Sequence, residues 1–214
     1  MQVVVIADGI TQTEFQDKQI PAGVRVEFVT TIDELSGGAD AFFYLLEEET
    51  FVEDAAKIEN LRSPVFIHSV SATLKDLPSN AIRICGWRGF LLQDTIEIST
   101  RPANVAAATR VLNGLQWHHQ QVPDIVGLIA PRTTALLINE AYLMINNDPS
   151  QKGEIDAAMK LAANFRSGPF ELAEKIGLKK IFNLLTHLAG ADVRYSPAPL
   201  LQKEISDLGI APKH

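Results

Sequence analysis

The chain has 214 residues, 46% hydrophobic and 21% charged, the balance of an ordinary globular protein with room for two modest domains and a buried core. Its formal net charge of −7 argues against nucleic acid as a main partner, and no apolar run approaches the ~18 residues of a membrane helix. The single Cys85 excludes an intrachain disulfide, and an amino terminus that enters a strand at once lacks the basic region of a signal peptide, so the sequence points to the cytoplasm.

Val3-Val4-Val5-Ile6-Ala7 is a short continuous apolar run, the pattern of a buried parallel strand. Between Asp8 and Gly23 the segment contains Pro21 and leaves room for little more than one helical turn, with Thr11-Gln12-Thr13-Glu14 in capping-box form. Val24 to Val29 alternates as a second strand, and Ala41 to Leu46 follows the turn Ser36-Gly37-Gly38 as a third. Glu47 to Asn60 spaces Phe51, Ala55 and Ile58 along one helical face. Val65 to His68, Ile82 to Cys85 and Thr95 to Ile98 are three further strands. Pro102 opens a helix through Leu115, and His118-His119 end it, where cations offset its negative terminus. Strands and helices alternating at these lengths imply a mostly parallel α/β sheet.

Beyond Val122-Pro123-Asp124 the pattern is helical. Thr133 to Asn146 carries a broad apolar face, Asp148-Pro149-Ser150 interrupts it, and Ser150 caps a helix from Gln151 to Asn164. Ala157, Ala158, Leu161 and Ala162 leave one side of that helix small enough for close packing. Pro169 begins the next helix and Gly177 ends it. Lys179 to Leu188 follows, and Pro197 and Pro199 introduce the last helix.

Five segments of this half form an ordered series: Gly127-Leu128-Ile129-Ala130-Pro131-Arg132, Asn139-Glu140-Ala141, Asp156 to Met159, Gly168-Pro169-Phe170-Glu171-Leu172, and Arg194 to Leu201. The series resembles the C-terminal domain of 3-hydroxyacyl-CoA dehydrogenases. That family reads G-F-(I/V)-x-N-R, N-E-A, D-x-A-M-x-x-G, G-P-F-E-L and R-(F/Y)-x-P-x-P-L-L. The resemblance implies an α/β N-terminal domain over residues 1–122, shortened and Rossmann-like with a mostly parallel sheet. An all-α domain of the 3-hydroxyacyl-CoA dehydrogenase C-terminal type then covers residues 123–214. It further implies NAD as cofactor, an acyl-CoA ligand, a place in fatty-acid metabolism and a homodimer formed through the helical domain.

The chemistry implied by the family is not carried over intact. A dinucleotide turn needs glycines that let the backbone approach a pyrophosphate, and in Ala7-Asp8-Gly9-Ile10-Thr11-Gln12 only Gly9 remains as a cofactor-binding candidate. Asp8 adds a negative charge there, and Val29-Thr30-Thr31 ends the second strand without an acidic residue for a ribose; nearby Asp33 suits a turn cap. The family's catalytic His falls at Cys85 and its partner Glu, twelve residues on, at Glu97. A thiol is a poor base, and its simpler role is a small buried hydrophobe. Without its His, Glu97 reads as a solvated carboxylate at the sheet edge. Ser71 corresponds to a family Ser that touches the substrate oxygen, although Ser also suits a plain turn. Pro131 replaces the family Asn, and Arg132 keeps the Arg that follows it. His68, at a strand end where ligand clefts form, is the one candidate for a relocated base. No metal-ligand spacing is visible. Three readings stay open: an NAD-dependent dehydrogenase, a non-catalytic dimer that binds acyl-CoA or a partner, and a different reaction through Cys85 or His68.

Overall fold

Seven strands make one sheet: β1 (Gln2–Ile6), β2 (Arg25–Val29), β3 (Ala41–Tyr44), β4 (Val65–His68), β5 (Ala81–Ile84), β6 (Thr95–Thr100) and β7 (His118–Gln121). Their order is β2-β1-β3-β4-β5-β6-β7, and every neighbouring pair is parallel except β5 with β6. β2 lies on one side of β1 and β3 on the other, so the chain reverses direction across the sheet at β1, the position where α/β sheets take ligands outside their carboxyl ends. The computed structural model describes residues 1–48, 50–145, 151–163 and 165–209. It divides into two units, Met1–Ile129 and Ala130–His214.

The strands are nearly all apolar because both faces of the sheet are covered. On one face Val3, Val5, Phe43, Phe66, Ile82 and Ile98 pack under α1 (Gly9–Asp17) and α3 (Val105–Gly114). On the other, Val4, Ile6, Phe42, Tyr44 and Ile67 pack under Phe51 and Ile58 of α2 (Phe51–Glu59). Four aromatic rings fix the first face: Phe15 of α1 lies 5.1 Å from Phe43 and 4.9 Å from Trp117, and Phe43 stacks on Phe66 at 4.5 Å.

Several expectations are corrected here. The segment after β1 holds a nine-residue helix rather than a single turn, because Phe15 is fully buried and anchors it. Asp8 caps this helix; Thr11 lies within its first turn, so the Thr11-to-Glu14 box does not open it. His118 and His119 do not end a helix. α3 stops at Gly114, Gln116 turns the chain with φ 57°, and the two histidines enter β7 beside β6. With β7 in place, β6 is not the sheet edge, and Glu97 is not on an edge strand. Asp33 caps no turn; it pairs with Lys57 (2.7 Å), and Glu34 accepts the Thr30 amide and hydroxyl in that turn instead. Val122-Pro123-Asp124 lies in the first unit, where Asp124 pairs with Arg83 and Ile129 N–H reaches Glu97.

The second unit consists of α4 (Ala130–Met144), α5 (Lys152–Ala163), α6 (Pro169–Ile176), α7 (Leu178–Ala189) and α8 (Pro199–Asp207). Ile138, Ala141, Phe170, Ile181, Leu184, Leu185 and Leu201 are buried among these helices. Ala157, Ala158, Leu161 and Ala162 of α5 are exposed, Leu161 to 88%, so its small side is not packed within this chain. The Asp148-Pro149-Ser150 interruption, the Ser150 cap and His214 lie outside the described residues.

Candidate functional site

At the carboxyl end of β1 the helix N-terminus that faces a diphosphate in dinucleotide-binding sheets is already engaged. Asp8 Oδ1 accepts the Thr11 N–H at 2.7 Å, and Gln12 Nε2 donates to the Ala7 carbonyl at 2.8 Å. A carboxylate caps a helix well, but it carries the same sign as a phosphate. Gly9 opens α1, and a Cβ added there would meet nothing within 4 Å, so no neighbouring part of the chain demands glycine at that point. Further along α1, Glu14 takes the Gly89 N–H with both oxygens at 2.9 Å, tying the loop after β5 to this helix. At the end of β2, the Thr30 hydroxyl and amide hold the Glu34 carboxyl below the usual carboxylate range.

β5 ends at Ile84, which pairs with Ile98 of β6; Cys85 follows that strand and is buried, and Glu97 lies on β6 next to Ile98. Glu97 is engaged through Oε2 with the Ile129 N–H at 3.1 Å. Alternation along β4 places His68 with Phe66, on the α1 and α3 face. Its Nδ1 accepts the Gly86 N–H at 3.0 Å, and a Cβ on Gly86 would press the ring at 3.0 Å. A neutral ring that accepts through Nδ1 carries its proton on Nε2, so the geometry makes His68 a hydrogen-bond donor rather than a ready base.

The fourth candidate, Ser71, sits in the loop after β4, and the residues that fix it were not evident from the sequence. Ser71 N–H donates to Glu48 Oε2 at 2.8 Å and Val70 N–H to Glu48 Oε1 at 2.7 Å. From the other side Arg83, fully buried on β5, donates to the Ser69 and Val70 carbonyls at 3.3 and 3.4 Å. Arg83 also pairs with Asp124 at 2.5 Å and reaches the Ile125 carbonyl at 3.2 Å. Gly127, held at φ 84°, a conformation glycine adopts at little cost, donates its N–H to the Val70 carbonyl at 2.7 Å. One signal was available: Ile82-Arg83-Ile84 puts a guanidinium inside an apolar strand, which demands partners nearby. Their identity was not, because Glu48 and Asp124 are far away in sequence.

In the second unit the family motifs resolve into hydrogen bonds. Asp156, buried on α5, accepts the Phe170 N–H at 2.9 Å and the Glu171 N–H at 3.1 Å, capping α6 from outside. A Cβ on Gly168 would collide with that carboxylate, so the D-x-A-M and G-P-F-E-L segments are two halves of one cap. Asn139, buried on α4, donates to the Ser196 carbonyl at 2.9 Å and accepts the Ala198 N–H at 2.8 Å, which fixes the segment before Pro199. Pro131 lies in the first turn of α4, where a missing N–H costs nothing. Arg132 lies over the Tyr195 ring at 5.5 Å. Lys152 pairs with Glu204 at 2.7 Å, and Tyr142 donates to Glu204 at 2.8 Å; burial, reinforced by that carboxylate, pushes the Tyr142 phenol up. Among the described residues no group of three or more His, Cys, Asp or Glu is arranged to hold a metal, and no helix is long and apolar enough to cross a membrane.

Comparison with known proteins agrees with this division. Residues 127–210 match the family described as 3-hydroxyacyl-CoA dehydrogenase, C-terminal domain. The chain is 33% identical over 114 residues to the 3-hydroxyadipyl-CoA dehydrogenase of Escherichia coli strain K12, covering 50% of this chain and 24% of that protein. It is 28% identical over 188 residues to the 3-hydroxybutyryl-CoA dehydrogenase of Bradyrhizobium diazoefficiens, covering 75% of this chain and 64% of the relative. The chain therefore spans less than two thirds of either relative's length. A crystal structure of (S)-3-hydroxybutyryl-CoA dehydrogenase from Ralstonia eutropha shares the fold, with a TM-score of 0.76 at 18% identity over 99% of this chain and 95% of that one. Residues 127–210 thus carry a domain similar to the C-terminal domain of 3-hydroxyacyl-CoA dehydrogenases.

Proposed function

We propose that this chain is a 3-hydroxyacyl-CoA dehydrogenase-like protein of acyl-CoA metabolism, a cytoplasmic homodimer paired through its helical unit, whose ligand is an acyl-CoA. The family reaction is the NAD-dependent oxidation of a 3-hydroxyacyl-CoA. The ordered C-terminal motif series, from Gly127 to Leu201, is the observation that carries this reading. The exposed small side of α5, centred on Leu161, supports the dimer, since a second copy would cover it.

A second reading is a non-catalytic relative that binds acyl-CoA or a partner. Three positions that act together in the family are altered together, two in the α/β unit and one at the start of α4: Cys85 stands in place of the His, Asp8 caps α1 where a diphosphate would need donors, and Pro131 supplies no amide. The residues present do not fit NAD bound in the standard manner. Isothermal titration with NADH and with acetoacetyl-CoA separates the readings. Acetoacetyl-CoA binding with weak or absent NADH binding is the expected result. Micromolar NADH affinity, with NADH consumption that collapses in Glu97→Gln, would establish the oxidoreductase and end the non-catalytic reading. Failure to bind acetoacetyl-CoA would remove the acyl-CoA ligand.

A further inference from the structure

Two consecutive peptide groups after β4 are held between a buried cation and a carboxylate. In the first, the Ser69 carbonyl accepts from Arg83 Nη2 at 3.3 Å while the Val70 N–H donates to Glu48 Oε1 at 2.7 Å. In the second, the Val70 carbonyl accepts from the same Nη2 at 3.4 Å and from Gly127 N–H at 2.7 Å, while the Ser71 N–H donates to Glu48 Oε2 at 2.8 Å. Each peptide carries a dipole of about 3.5 D. A positive charge behind both carbonyls and a negative one ahead of both N–H groups polarise those dipoles in the same sense, which strengthens the amides as donors. Preoriented main-chain donors of this kind are what proteins use to hold anions.

The buried guanidinium supports the same conclusion. Burying a charge is costly unless it is compensated, and Arg83 is fully buried while Asp124, its direct partner, has a side chain 31% exposed. Glu48 lies across the two peptides from that guanidinium, and the carbonyl side of the loop is held by Arg83 and Gly127, not by Glu48. Glu48 itself is half-buried and lies in the connection between β3 and α2, outside either element.

We propose that the Val70 and Ser71 amides form an oxyanion-binding site for a carboxylate or phosphate group, and that Glu48 is its built-in occupant, so an external anion enters only when Glu48 is withdrawn or neutralised. The proposal does not depend on the dehydrogenase reading; its test contains neither acyl-CoA nor nicotinamide. The full-length wild type, Glu48→Ala and Glu48→Gln are labelled with ¹⁵N, and the Val70 and Ser71 amide signals are followed during separate titrations with inorganic phosphate and with acetate. Gln keeps the side-chain volume but offers one acceptor and one donor, so it satisfies only one of the two amides and covers the case where the Ala chain does not fold. Both signals are expected to shift saturably in the variants, at concentrations at least tenfold below those that move them in the wild type. The anion that saturates first identifies the class. The proposal fails if these two amides ignore both anions in a folded variant, if the wild type responds as readily as the variants, or if only other amides move.

Discussion

The two units of this chain treat family residues differently. In the helical unit Asp156, Gly168 and Asn139 persist, and each contributes to the fold itself. Asp156 caps α6, Gly168 leaves room for that cap, and Asn139 secures the Ser196–Ala198 segment. In the α/β unit the backbone frame persists while other residues stand at positions the family uses for chemistry: Cys85 stands where the resemblance places a His, and Asp8 caps α1. A motif retained for folding survives the loss of a reaction, whereas a motif retained for chemistry does not. The helical series carries the likeness to the family, and the carboxyl end of the sheet is where any turnover would be decided.

The largest expected effect tests whether α1 is held by packing alone. Phe15 is fully buried against Phe43 and Trp117, and Phe15→Ala should cost about 3–5 kcal/mol, the usual loss for a buried aromatic. Both tryptophans, Trp87 and Trp117, lie in the first unit, so their fluorescence during urea unfolding reads that unit. A loss under about 1 kcal/mol would mean that something other than the aromatic core holds the helix, and the comparison between a packed frame and a vacated dinucleotide turn would break.

Much of this frame is legible in the sequence for stated reasons. β1, β3 and β4 are continuous apolar runs because both faces of the sheet are covered, and α6 announces itself by Pro169 at its start and Gly177, at φ 101°, at its end. α1 is hard to read because it buries only Thr11 and Phe15 and so shows no apolar stripe. β7 is harder still: His118-His119-Gln120-Gln121 is polar on both sides, and pairing with β6, not side-chain pattern, makes it a strand. The candidate site was half legible. Cys85 and Glu97 were singled out only through the family resemblance, and the Glu48, Arg83 and Asp124 arrangement joins residues tens of positions apart, which periodicity along the chain cannot reveal.

The next effect sharpens the helical side of the comparison. Asp156→Ala leaves the Phe170 and Glu171 amides without their acceptor and should cost about 2–4 kcal/mol. Gly168→Ala should cost a similar amount, since its Cβ would displace the same carboxylate. Far-UV circular dichroism in urea reads the helices directly. If either variant unfolds with the wild-type midpoint, the cap is dispensable, and retention of these residues would have to be explained by ligand contact.

The smallest effect is a pH dependence at the same helix start. Lys160, and then the Gly168 N–H, hold the Glu171 carboxyl below its usual range. A folded pKa lower than the unfolded value of about 4.3 gives stability that is complete above that pH and is lost as pH falls through the folded value. Glu171→Gln keeps an acceptor for the Gly168 N–H and removes the charge, so its urea midpoint should lie slightly below wild type at pH 7 and converge with it toward pH 3. The group is exposed and pairs with a single lysine across solvent, which keeps the difference small and sensitive to salt. A gap that stays constant from pH 7 to pH 3 would assign the effect to packing at the start of α6, and would leave Asp156 as the one carboxylate whose charge that helix requires.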